Sequence, residues 1–491
     1  MGKNKLFWFF VVISALLGAV YNVGYVHPDE HFQLLEFAGY LSGMVSSETL
    51  PWEFHHAMRP SLQPVIAYCV HQLSIFINGE HNPVLWTLLL RLFSAIFSIF
   101  VTYKFVKTFE KEFSEKFKKW FWLLSFFTWF TVFLHVRFSS EAWSENFWLL
   151  GIIYLWNAQN LFSKNVYAGI FLGLAFVCRY QLAFAILGVL LWIIFFHQNK
   201  WKTLAALTLG GGLVFILSTI LDSWFYGRWV IAPYNYFYQN LVLKKVTEFG
   251  QEPWYYFFYE LFKSRTFILN LFYLLTLFYF LIKYPKHLFV WTLIPFIGIH
   301  FIVSHKEWRF LFPIFGFFPY ILVKFWEDLF RHWKVQYAQP ILKIFFILHL
   351  FPLVVTITQY LEPHILVYEF IWKNYSVHEP IIVYFKNESI DGPCKKYLNQ
   401  DPKTQCLIHQ VYLKNTQIYP SYFCEGDSIV LNEKKFQRML VVYYSFQDKR
   451  DIPKAYKRVY SFYPEWVLNY FNIGGWVNRT SFLEIYEYKN P

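Results

Sequence analysis

A chain of 491 residues with 56% hydrophobic and 24% aromatic side chains, only 15% charged, and a mean hydropathy of +0.31 carries more apolar surface than a water-soluble fold can hide. That composition excludes a disordered, collagenous or disulfide-scaffold chain and points to a polytopic membrane protein. The net charge of +12 is unevenly divided: residues 359–491 hold 16 Lys and Arg against 14 Asp and Glu, leaving 28 against 18 to residues 1–358. The excess therefore lies in the apolar part, where basic loops meet anionic headgroups, and no nucleic acid is expected.

In chain order, apolar runs predict spans at 6–21, 84–103, 120–136, 145–160, 167–178, 182–197, 203–221, 266–282, 287–303, 309–325 and 341–358, about 11 transmembrane helices. The first follows Lys3 and Lys5 and shows no small-residue cleavage site before Tyr25, so it reads as an uncleaved span and not a signal peptide. The lysines at 3–5, 104–119, 200–202, 283–286 and 324–343, with Arg331, fall on one set of connections, which the positive-inside rule makes cytoplasmic. The alternate connections are 22–83, 137–144, 179–181, 222–265, 304–308 and everything after 359. They face outward and hold most of the unusual polar residues, so one extracytoplasmic site built from several loops is expected.

From about Gln359 the long apolar runs stop and short alternating stretches such as 381–384 and 428–431 appear. The expected fold is an all-α polytopic domain over 1–358, with a small extracytoplasmic α+β or β domain over 359–491. Cys69 and Cys178 lie in apolar segments and read as buried small hydrophobes. Cys394, Cys406 and Cys424 allow one disulfide and a free thiol in an oxidising compartment, and their spacing does not suit zinc.

The sharpest local feature is His27-Pro28-Asp29-Glu30-His31-Phe32-Gln33, directly after the first span. Two adjacent carboxylates between imidazoles are costly beside a bilayer and point to function. Asp29 there can serve as general base for a hydroxyl nucleophile. The bland alternative is a capped helix over 30–40 opened by Pro28 or Asp29. A divalent metal held by Asp29, Glu30 and the histidines is a further alternative, with spacing that meets neither hard-ion nor His-ligand geometry.

The second feature is Ser304-His305-Lys306-Glu307-Trp308-Arg309-Phe310, in which His305, Lys306 and Arg309 offer donors for a diphosphate or phosphodiester. A headgroup belt around Trp308 is its plain alternative, yet that leaves Glu307 between the cations unexplained. Arg91, Arg137 and Arg179 sit in or beside apolar segments. Arg137 and Arg179, with Glu141, Gln181 and Asp222, are expected to line a cavity, and Arg91 is as readily a structural partner.

These motifs resemble glycosyltransferase family 22, the GT-C mannosyltransferases that use dolichyl- or polyprenyl-phosphate mannose in GPI-anchor and N-glycan precursor assembly. The resemblance runs in order through HPDEHFQ (27–33), LPWEFHHAMRP (50–60), the Arg137 stretch, Arg179, DSWFYG (222–227), GQEPWYYF (250–257) and HKEWRF (305–310). It implies inverting transfer of mannose from a lipid-linked donor to a hydroxyl of a glycan or glycolipid on the extracytoplasmic or lumenal face. It matches Asp29 to the base and Glu30 to its acidic neighbour. His305, Lys306 and Arg309 match the donor-phosphate motif, while Trp52, Glu53 and Arg59 match the acceptor side. No metal ligand and no further cofactor is implied with certainty, and membrane lipids are the remaining partners.

Two departures touch the acceptor side: Arg-Phe-Ser-Ser-Glu at 137–141 replaces the family's frequent Arg-Thr-Leu-Ser-Asn, and Arg179-Tyr180-Gln181 replaces Arg-Pro-Thr. The tail also lacks the Cys-, His- and Pro-rich segment of the GPI enzymes. A divergent, bacterial member in the inner membrane is expected, or one in the endoplasmic reticulum membrane if eukaryotic. In that second case the sequons at Asn374, Asn387 and Asn478 would be glycosylated. The competing class is a transporter or flippase of a lipid-linked or anionic substrate, which would show inverted repeats and broken spans in matching halves; neither is evident.

Overall fold

A computed structural model of the chain describes residues 4–158, 161–264, 266–331, 335–358, 361–375, 380–386, 409–413, 418–423, 438–443, 456–463, 465–470 and 482–488. Cys394, Cys406, Cys424, the stretch 428–431 and the sequon asparagines Asn387 and Asn478 lie outside them. The chain divides into two units. The first comprises Met1–Asn22, His27–Leu41 and Ser47–Gln359, and the second Val23–Val26, Ser42–Ser46 and Tyr360–Pro491. Two short strips of the first connection thus join the C-terminal unit, which contiguous sequence reading had no means to anticipate.

The first unit is helical. Among the described residues, four helices are long and apolar enough to cross a membrane, Pro83–Glu112, Lys200–Tyr226, Trp308–Leu329 and Tyr337–Thr358. Five shorter apolar ones accompany them, Lys5–Tyr21, Phe162–Cys178, Tyr180–Phe196, Phe267–Lys283 and Leu288–Ile302. The run expected at 120–136 is instead two helices, Glu115–Phe127 and Trp129–His135, parted at Thr128. There the backbone turns extended and the threonine hydroxyl donates to the Leu124 carbonyl. The connection 22–83 carries a 17-residue helix, Leu62–Asn78.

Glycine lets these helices approach closely, the usual device where lipid gives no hydrophobic drive for helix association. Gly169 and Gly210 put the helices Phe162–Cys178 and Lys200–Tyr226 in backbone contact, for a Cβ at Gly210 would stand 2.2 Å from the Val166 carbonyl oxygen. At Gly188 a Cβ would stand 2.0 Å from the carbonyl oxygen of Trp291 on Leu288–Ile302. Gly188→Ala is therefore expected to cost about 1–3 kcal/mol, read as a lower thermal midpoint of the purified protein in detergent. An unchanged midpoint would mean that these two helices do not meet there. Part of the aromatic surplus fills the core, where Phe289 and Phe317 stack at 4.1 Å with Phe105, Phe109 and Tyr320 packed around them, and part lies exposed on the helix surfaces.

In the second unit, strands β1 (Ile381–Lys386), β2 (Ile418–Phe423), β3 (Arg438–Tyr443), β4 (Tyr456–Ser461) and β5 (Glu484–Tyr488) form one sheet in the order β2-β1-β3-β5-β4. β1 runs parallel to β2 and β3, and β5 antiparallel to β3 and β4. The central strands β1 and β3 are rich in Ile and Val, as strands buried in a sheet require. The helix Pro363–Asn374 precedes the sheet, its first turn capped by the Glu362 carboxylate.

Candidate active site

After the first helix the chain reaches Asp29 and enters a π-helical turn, Glu30–Leu35, that continues as the helix Glu36–Leu41. The Asp29 side chain does not cap that turn. Arg309 Nη2 donates to Asp29 Oδ2 at 2.8 Å, and Arg59 Nη2 lies 3.9 Å from the same oxygen. His27 Nδ1 accepts the Asp29 backbone N–H at 3.2 Å. Burial alone would raise the Asp29 carboxyl, but Arg309, His27 and Arg59 outweigh it and hold the group well below the usual carboxylate range.

Arg309 comes from a 3-10 stretch, Trp308–Phe317, that contains Pro313 and follows the sharp connection after Leu288–Ile302. Its fork serves three carboxylates at once. Besides Asp29 it binds Glu307, through Nε to Oε2 and through Nη2 to Oε1 at 3.2 Å, and Glu141 Oε1 through Nη1 at 3.1 Å. Glu307 also pairs with His305 Nε2 at 2.8 Å. Burial opposes ionisation of Glu307, yet the bonds from His305 and Arg309 push its carboxyl down to about 2. Glu307, the residue between cations that a headgroup belt left unexplained, is thus the anchor of Arg309.

The other expected residues separate into wall and support. A cavity of about 550 Å³ is lined by His27, Asp29, Trp52, Glu53 and Arg59 from the first connection, by Arg179 and Gln181, and by His305, Glu307 and Arg309. Trp52 stacks on Phe249 at 5.9 Å, Arg59 pairs with Glu53 at 3.5 Å, and Gln181 donates to the Tyr236 hydroxyl at 2.9 Å. Behind the wall, Glu30 pairs with Arg137, whose Nε donates at 2.9 Å. Glu141 receives Arg179 Nη1 at 2.7 Å, again on Oε1. Asp222 accepts the Ser61 backbone N–H at 2.8 Å and its hydroxyl at 2.6 Å, fixing the loop that carries Arg59. Tyr226 adds a hydrogen bond to the Arg59 carbonyl at 2.8 Å.

Lys306, expected on the phosphate, instead donates to the backbone carbonyls of Glu252, at 3.1 Å, and Val303, and it is absent from the cavity wall. Arg91 Nε donates to the Ala19 carbonyl at 2.6 Å, a structural placement. Among the described residues no three His, Cys, Asp or Glu side chains gather as metal ligands; the site's carboxylates face guanidinium groups. Sequence reasoning missed Tyr236 and His300. Tyr236 was one of 36 tyrosines, and His300 sits inside an apolar span. A second cavity, of about 400 Å³ and almost wholly apolar, is lined by Trp254 and Trp308 with Phe257, Tyr273, Phe301 and Phe315.

The family model of the Alg9-like mannosyltransferases matches residues 6–388. The chain belongs to the Alg9-like mannosyltransferase family. It is 23% identical to Mannosyltransferase APTG1 of Arabidopsis thaliana over 327 residues, covering 64% of this chain and 57% of that protein. It is 22% identical to GPI alpha-1,2-mannosyltransferase 3 of Bos taurus over 326 residues, covering 65% and 58%. The matched part thus spans less than two thirds of these relatives' length. In fold, this Alg9-like chain is similar to the crystal structure of ArnT from Cupriavidus metallidurans in the apo state, with a TM-score of 0.52 at 11% identity over 98% of this chain and 97% of that one. All the motifs that carried the resemblance lie within the matched residues.

Proposed function

We propose that this Alg9-like protein is an inverting mannosyltransferase that moves mannose from a dolichyl- or other polyprenyl-phosphate donor to a hydroxyl of a glycan or glycolipid, on the extracytoplasmic or lumenal face. The observation that carries this reading is the pairing, in one cavity wall, of a carboxylate with a guanidinium 2.8 Å away, Asp29 and Arg309. Transfer from a sugar already activated by phosphate needs those two groups, a base for the incoming hydroxyl and a cation for the departing charge.

The acceptor oxygen attacks the anomeric carbon as the bond from that carbon to the phosphate oxygen breaks. Its proton passes to Asp29, and the bonding pair leaves with the lipid phosphate, whose new charge Arg309 neutralises. Nothing is oxidised or reduced, and the attacking face is opposite the leaving group, so the configuration inverts. The apolar cavity beside Trp308 suits the first units of a polyprenyl tail. Aromatic Trp52 and Phe249, with Glu53 and Arg59, suit a sugar acceptor. The name GPI alpha-1,2-mannosyltransferase 3 among the matched relatives supports a GPI-type glycolipid as the first acceptor to offer.

The test is a transfer assay on the membrane-embedded protein, offering dolichyl- and shorter polyprenyl-phosphate mannose with a panel of oligosaccharide and glycolipid acceptors. Label is expected in a lipid or glycan product from the lipid-linked donor. Movement of an intact lipid-linked sugar across the vesicle, with no new glycosidic bond, would instead establish a flippase.

A further inference from the structure

Two residues of the cavity wall carry buried polar atoms that the ion-pair network leaves unused. Arg179 is buried, 6% exposed, with Nη1 committed to Glu141 and to the Ser140 hydroxyl at 3.1 Å, yet its Nε and Nη2 find no hydrogen-bond partner among the described residues. His300, 5% exposed, donates through Nδ1 to the Phe296 carbonyl at 2.6 Å. A carbonyl can only accept, so the neutral ring presents Nε2 as an acceptor, and that atom also lacks a partner among the described residues. Both residues line the cavity and both gather on Phe310. The Arg179 guanidinium stands 5.2 Å from that ring's centre, the His300 ring 6.0 Å, and the Arg309 guanidinium 5.4 Å. Buried donors and acceptors left unmade cost free energy that a ligand recovers.

We propose, resting on the transfer reading above, that Arg179 and His300 form the donor subsite: Arg179 grips a phosphate oxygen through Nε–H and Nη2–H, and His300 Nε2 accepts a hydrogen bond from a hydroxyl of the sugar being transferred. Two parallel N–H donors on one rigid edge fit a phosphate in the bidentate manner that an ammonium cannot copy. Arg309 then meets the same phosphate beside it, since the shared Glu141 oxygen keeps the two guanidiniums adjacent despite their like charge. Lys306 is left to hold the loop, consistent with its carbonyl partners.

Binding of dolichyl phosphate, dolichyl-phosphate mannose and phosphatidylinositol to the full-length protein in nanodiscs tests this, alongside transfer. For Arg179→Lys, which keeps a cation toward Glu141, and for Arg179→Gln, dolichyl phosphate is expected to bind about tenfold or more weakly than to wild type. The apparent KM for the acceptor should not change. His300→Phe should keep wild-type affinity for dolichyl phosphate and lose the added affinity that the mannose confers. The thermal midpoint without ligand shows whether each variant is folded, and a folded Arg179→Lys suffices if Arg179→Gln is not. Wild-type affinity for dolichyl phosphate in Arg179→Lys, or a loss confined to phosphatidylinositol, would overturn the assignment while transfer by wild type stands. If wild type binds neither dolichyl lipid and transfers nothing, the transfer reading fails first and takes this subsite with it.

Discussion

Asp29→Asn is expected to lower the transfer rate by about 10²–10⁴-fold while the protein stays folded. The amide fills the same space, and Arg309 keeps its bonds to Glu307 and Glu141, so the network behind the cavity survives the change. In the proposed mechanism, what disappears is the acceptor for the hydroxyl proton. Because Asn releases Arg309 from one carboxylate, the apparent KM for the donor should stay level or fall. A kcat loss without a KM rise marks a group used in the transition state and not in ground-state binding.

The depressed Asp29 carboxyl adds a pH signature. With its ionisation held well below the usual range, Asp29 is charged throughout the neutral region, so the free enzyme should show no acid limb from this group between about pH 5 and 8. Glu307 is depressed too. The stability that both carboxylates contribute is complete above their ordinary pKa values near about 4 and fades only as pH falls through the lowered native ones. Wild-type transfer by folded Asp29→Asn would remove Asp29 from the mechanism.

Arg309→Ala is expected to have the second large effect, in two parts. Asp29, Glu307 and Glu141 each lose a partner, and breaking one buried pair typically costs about 3–5 kcal/mol. The variant should therefore be less stable as well as slow. Arg309→Lys separates the parts, since it retains a charge for the carboxylates without the planar fork that meets three of them at once. For the Lys variant, donor kcat/KM is expected to fall by about 10²–10³-fold, as when one preorganised donor to a developing anion is lost, with much less change in the acceptor's KM. Equal losses for donor and acceptor would argue against a phosphate role.

Much of this site was legible because ionisable residues beside apolar spans are rare and expensive. HPDEHFQ and HKEWRF stood out for that reason, and the structure brings Asp29 and Arg309 into contact across 280 positions. The direction of each side chain was not legible. Lys306 and Arg309 were both expected on the phosphate, the guanidinium fork being the better suited, but the bend after Val303 sends the lysine to backbone carbonyls and the arginine into the cavity. Asp222 and Arg137 were expected to line the cavity, but the structure places them behind its wall, on Ser61 and Glu30.

His300 gave no signal at all, since a lone histidine in an apolar span reads as core until its unused nitrogen is seen. The helical architecture followed from hydropathy, whereas the break at Thr128 depends on local backbone geometry that a hydropathy window averages away. In the tail, alternation announced strands, but the order β2-β1-β3-β5-β4 rests on pairings distant in sequence.

In the proposed mechanism one cavity transfers mannose from a lipid phosphate in a single inverting displacement. The anomeric configuration of the product decides whether it does. With a polyprenyl-phosphate mannose donor of known configuration and a labelled acceptor, the new glycosidic bond is expected to have the opposite configuration, read from its one-bond carbon–proton coupling. Retention of the donor's configuration, or no glycosidic bond in the presence of intact donor and folded protein, would contradict it.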